Sequence, residues 1–167
     1  MTWSDVRDTV VSYLEGVDGI SGNKGKVLKS LPDYTKDSDI QNAMVDAGEG
    51  VKRLNLWIVT RGQARMQRGG GGSRIPIGMT NKYHSFNILG LYSFTGDDSE
   101  DAFQDIIENI LTTFTTTLSL GHHKDGWLCN EPNANPIEPA NFGPYLTHQV
   151  SIQLLVEEQL QKLNFTE

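Results

Sequence analysis

The chain has 167 residues, with 14 Lys or Arg against 21 Asp or Glu, a formal net charge of −7 and a single cysteine. That length suits one domain burying roughly 70% of the surface its unfolded form exposes, and 37% hydrophobic residues plus 17 glycines is an ordinary globular composition. The acidic balance argues against a general nucleic-acid coat; lone Cys129 excludes an internal disulfide and suits a reducing compartment; the absence of any long apolar run or basic-then-apolar leader argues against a membrane span or signal peptide.

Thr2 and Asp5 have the spacing of a capping box, and Trp3, Val6, Val10 and Leu14 then recur on one helical face. This predicts a short amphipathic helix laid on a sheet and stopped at Gly16. The glycine- and lysine-rich segment from Val17 to Lys29 reads as a loop holding at most one short strand, around Val27 and Leu28. Leu31-Pro32-Asp33-Tyr34 reads as a turn. Ser38 or Asp39 then caps a predicted helix through Ile40, Ala43, Met44 and Ala47, ending at Gly48.

Two stretches rich in β-formers follow, Lys52 to Thr60 and Lys82 to Tyr92, separated by a segment containing Gly69-Gly70-Gly71-Gly72. Strand signals around a glycine run predict a long projecting β-hairpin, about 51–95, with a mobile tip. At about 3.3 Å per residue its strands reach some 30 Å. Between Val51 and Thr95 stand seven Lys or Arg and no acid, so the rest carries seven basic and 21 acidic residues, a net −14. The sequence is divided into a basic arm and an acidic body.

The next segment holds the clearest helix. Asp98 or Ser99 caps it, acids crowd its first turns, and Ala102, Phe103, Ile106, Ile107, Ile110, Leu111 and Phe114 form a wide apolar stripe before Gly121 closes it. Gly126 to Asn130 reads as a short strand, and Pro132, Pro136 and Pro139 mark a loop. From Leu146 to Val156 every second residue is apolar except His148, which predicts a long strand with one wet face; residues from about 159 to 167 read as a tail. The order predicts a single α+β domain spanning 1–167, with helices on one face of a mostly antiparallel four-stranded sheet.

Few residues invite chemistry. His122, His123 and Asp125, with Cys129 and His148, raise a metal-dependent hydrolase, but adjacent loop histidines rarely point at one ion. Cys129 beside Trp127 and Leu128 reads as a buried, inert thiol. The glycine run lacks the Gly-Lys-Ser/Thr ending of a phosphate loop, and Ser73 and Ser85 have no partnered histidine at a defensible spacing. Arg61, Arg65, Arg68 and Arg74 remain. An edge strand defended by cations is their simplest explanation; the complete segregation of charge favours docking on acids, with Asp98 and Asp101 as the expected partners. Nucleic acid is the alternative, although the tip has no aromatic residues for base stacking.

This arrangement resembles the tail terminator, or tail completion, proteins of long-tailed bacteriophages. Lys82 to Tyr92, the helix from Ser99 to Phe114 and the Pro-rich approach to Tyr145–Glu158 carry the likeness. The resemblance implies a structural virion protein of the tail neck, assembled in the host cytoplasm. It implies a hexameric ring that caps the tail tube, meets the tail tube protein and head–tail connector, and passes DNA through its lumen without reading sequence. No catalytic residue, metal or cofactor carries over. Another ring-forming neck or head–tail joining protein is the alternative within the class.

Overall fold

The structure, a computed structural model, describes residues 2–33, 35–68, 80–116, 127–130 and 132–160, with the backbone alone at 64, 67, 68, 127, 128, 159 and 160. The glycine tip, Tyr34, the expected stop at Gly121 and most of the C-terminal tail lie outside the described residues.

Helix α1 (Trp3–Glu15) starts at the capping box read from the sequence, with Thr2 and Asp5 exchanging side-chain-to-backbone hydrogen bonds. Strand β1 (Lys26–Leu28) follows a series of turns. Helix α2 (Asp37–Ala43) is shorter than expected, because Met44 is extended and Val45 opens a small antiparallel ribbon, β2 (Val45–Asp46) with β3 (Lys52–Arg53). The hairpin strands are β4 (Asn55–Arg68) and β5 (Thr80–Ser93). Helix α3 (Ser99–Thr116) precedes β6 (Trp127–Cys129), β7 (Asn133–Ala134), β8 (Glu138–Phe142) and β9 (Tyr145–Leu160).

The class is α+β, but the expected four-stranded sheet is corrected to a seven-stranded mixed one, ordered β1-β4-β5-β9 with β6, β7 and β8 in turn along the outer side of β9. Only β1 is parallel to its neighbour, β4. The three strands beyond the expected four, β1, β7 and β8, have two to five residues, too few for a period of two to register. The proline loop is a broken edge strand. Pro139 sits opposite His148 within β8, on an edge where its missing N–H costs no ladder bond. The strand returns into β9 through Gly143-Pro144, where a φ of 57° at Gly143 and a ring-fixed negative φ at Pro144 suit a two-residue hairpin turn.

The hairpin does not project as a free arm, which is the second correction. Strand β5 is paired over its whole length, with β4 on one side and β9 on the other, so the three make one long blade. The third correction concerns the helices, which cover both faces rather than one. Val6, Val10, Leu14, Phe103, Ile107, Ile110 and Phe114 of α1 and α3 pack on Trp57, Val59, Phe86 and Ile88 and on Val150 to Val156 of β9. Ile40 and Ala43 of α2 cover the opposite face through Leu56, Ile58 and Leu91, with Phe142. Two covered faces explain why Leu54 through Val59 are all buried. Among the described residues, no helix is long and apolar enough to cross a membrane.

Candidate functional site

The blade has two unlike ends. At the distal end, β4 carries Arg61 and Arg65, both exposed, and no carboxylate among the described residues lies within ion-pair distance of either. Strand β1 pairs only with Leu56 to Ile58, so beyond them the outer edge of β4 has no partner strand among the described residues. A bulge sets Gly62 and Gln63 against Ser85 alone, since Arg61 pairs with Phe86 and Ala64 with His84. The extra residue inverts the alternation. Arg61 therefore shares the α1 face with Phe86, its guanidinium 5.6 Å from the Trp3 ring centre, whereas Arg65 lies on the other face, 4.8 Å from the Tyr83 ring. Each stacking of this exposed kind contributes about 0.5–1 kcal/mol. Met66, opposite Lys82, is 64% exposed. Arg68 is placed by its backbone only, and Arg74 lies outside the described residues.

Beneath the arginines a polar lock ties β5 to β9. His84 and Glu158 are both buried, with Nε2 and Oε2 3.0 Å apart, and Asn81 donates to the Glu157 carboxylate. Glu157 and Glu158, the acids of β9 nearest the arginines, are thus engaged within the blade. Extrapolating two alternating rows finds the buried pair, because His84 continues Phe86 and Ile88 while Glu158 continues Ile152, Leu154 and Val156.

The proximal end carries a cluster of acids together with the exposed cations Lys52 and Arg53. Asp97, Asp98, Glu100, Asp101 and Asp105 are all exposed around the start of α3. Asp98 contributes its backbone carbonyl to the Ala102 N–H at 3.1 Å, leaving its side chain on the surface. Beside these acids Phe94 and Leu146 meet at the end of the β5–β9 ladder, where the Phe94 N–H donates to the Leu146 carbonyl at 3.3 Å. They are 53% and 51% exposed. Arg61 aligns with Phe86 and Arg65 with Tyr83, six and nine positions from Tyr92, so Asp98 and Asp101 lie roughly 20 Å from Arg61 and roughly 30 Å from Arg65 along the blade. The expected partners cannot meet within one chain.

One Ser–His contact escaped the sequence reading. Ser99 Oγ lies 2.9 Å from His148 Nε2, but its hydroxyl also donates to the Gly96 carbonyl at 2.8 Å. The serine has one proton, so the histidine Nε2–H donates to the hydroxyl; a general base would have to do the reverse. Both residues are buried, with Phe94 and Phe103 against the imidazole. The contact anchors the start of α3 to β9. A cleft of about 550 Å³ is lined by Glu15, Asn23, Lys26 and Met44 among others, and neither Ser99 nor His148 borders it.

For the metal reading, His122, His123 and Asp125 lie outside the described residues. Cys129 and His148 stand eight positions apart along β9, since Cys129 pairs with Val156, or about 26 Å, so these two cannot share an ion. Among the described residues no three His, Cys, Asp or Glu side chains converge. Burial pushes the Cys129 thiol up to about 12, far from the reactive range at neutral pH.

The sequence matches no known family model, and no curated protein matches it.

Proposed function

We propose that this protein is a ring-forming structural subunit of the neck of a long-tailed bacteriophage, and within that class a tail terminator. The observation that carries the reading is that Arg61 and Arg65 stand exposed at one end of the blade, while the exposed acids at the start of α3 lie at the other, with Lys52 and Arg53 also at that end. Arg61 and Arg65, about 20 and about 30 Å along the blade from those acids, find complementary partners only between molecules. Unlike patches joining head to tail build rings or filaments. The order of a capped N-terminal helix, a long hairpin, an amphipathic helix and a long final strand is the arrangement on which the likeness to tail terminators rests. In this reading about six copies close on the tail tube, the head connector seats on their outer surface, and DNA passes through the lumen unread.

The test is charge reversal. Exposed ion pairs contribute only about 0.2–1 kcal/mol each, so the arginines are replaced in combination. Arg65→Glu with Arg68→Glu is expected to lower ring or tail-cap occupancy in electron micrographs while circular dichroism stays native. Asp98→Lys with Asp101→Lys in the same background is expected to restore part of the loss. Normal capping by the double Glu variant together with lost DNA affinity would overturn this reading in favour of nucleic-acid binding.

A further inference from the structure

The charged ends also carry apolar centres. At the distal end the most exposed large apolar side chain among the described residues is Met66, flanked on its own face by Lys82 across the strand pair and, beyond the bulge, by Arg61. At the proximal end Phe94 and Leu146 form an apolar pair bordered by Asp97, Asp98 and Asp101. An apolar centre inside a charged rim is the anatomy of a protein interface, where the centre supplies affinity and the rim sets partner and register. The two patches match in chemistry and are opposite in sign.

We infer that Met66 of one copy seats on the Phe94–Leu146 pair of a second copy, with Arg61 and Lys82 against the acids at the start of α3. The inference rests on the ring-forming reading and names the surface that would join its subunits. Two arguments exclude the symmetric alternatives. Patch on identical patch would set arginine against arginine or aspartate against aspartate. A face-to-face antiparallel pair would let both patches engage at once, because Met66 and the Phe94–Leu146 pair share the α1/α3 face. On that face, however, the helices of both copies stand between the two sheets, each about 10 Å thick. The ends are left to meet only in succession, donor to acceptor.

Oxidative crosslinking of the purified full chain tests this directly. The native Cys129 stays a protonated, half-buried thiol at neutral pH, so it contributes little background. Met66→Cys with Leu146→Cys in one chain is expected to give a ladder of covalent multimers on mild oxidation, and each single variant is expected to remain monomeric on a non-reducing gel. As a second measurement, Met66→Asp is expected to raise the concentration for half-assembly about tenfold in sedimentation velocity, with an unchanged unfolding midpoint. Covalent dimers from either single variant would show a symmetric contact and overturn the proposal. Assembly by sedimentation without any ladder would also overturn it while leaving the ring reading intact. A chain that stays monomeric at every concentration, free and in the presence of tails, would overturn both.

Discussion

Gly90 shows how strongly one missing side chain can constrain a sheet. It pairs with Trp57 across β4 and β5, and a Cβ at that position would stand 2.4 Å from Cζ3 and 2.7 Å from Cη2 of the indole. The indole has little freedom to yield. It is fully buried, and its N–H donates to Asn55 Oδ1 at 2.8 Å, while the Asn55 amide donates to the carbonyls of Gly19 and Lys24. Gly90→Ala is therefore expected to destabilise the fold by about 1–3 kcal/mol through overpacking. A denaturant titration should show a lower midpoint at constant slope; a loss under about half a kilocalorie would mean that the ring can slide aside. Nothing near Gly90 in the sequence announces this, because its partner is 33 positions away and only the register brings them together. The buried His84–Glu158 pair was hidden differently: each residue looks like ordinary strand-end polarity until the apolar row is followed one step further.

Among the elements, those with local signals were the legible ones. The capping box of α1 and the apolar stripe of α3 are contained within their own segments, and both helices stand where the pattern placed them. Within α3, Ala102 nevertheless faces solvent, while Phe103, Ile106, Ile107, Ile110 and Phe114 are buried. Ile110→Ala removes a fully buried side chain from the contact with β5 and β9, and a loss of about 2–5 kcal/mol is expected by chemical denaturation. A loss below half a kilocalorie would mean that the stripe faces elsewhere. Helix α2 shows the opposite case. Its propensity continues past Ala43, but Val45 and Asp46 pair with Arg53 and Lys52, and this tertiary pairing ends the helix early. Strand β6 falls inside the short strand expected at 126–130, whereas β7 and β8 were invisible because each borrows its regularity from β9 rather than holding a pattern of its own.

For the whole molecule, the charge division was readable from the sequence alone, and its geometry was not. Counting residues separates a basic stretch from an acidic remainder. It cannot show that β9 binds β5 into a blade, that the bulge at Gly62 and Gln63 sends Arg61 and Arg65 to opposite faces, or that Glu157 and Glu158 are engaged within the blade. The candidate interface changes accordingly, from a mobile arm reaching a neighbour to two ends of a stiff body. On the proposed ring reading, a pre-formed blade loses less conformational freedom on association than a mobile arm would, so the orientation between copies would be set largely by the fold before they meet.

The pairing of β5 with β9 has a consequence for biosynthesis. Its partners are separated by 54 residues at Ser93–Thr147 and by 80 at Thr80–Leu160, and contacts so distant in sequence form slowly. Residues 145–160 leave the ribosome after every other described element. Until then β5 presents an open edge of up to 14 residues, rich in β-formers and already held straight by β4 if the hairpin has formed. Nascent chains on one message would be prone to join along these edges. A chain ended after Pro144 is expected to sediment with the insoluble fraction when expressed, and a separately supplied peptide of residues 145–160 is expected to recover part of it as soluble protein. A truncated chain that is soluble, monomeric and native by circular dichroism would show that β9 is not the closing element. Loss of solubility with recovery by the peptide would instead mean that β9 sets the pace at which correctly folded chains accumulate.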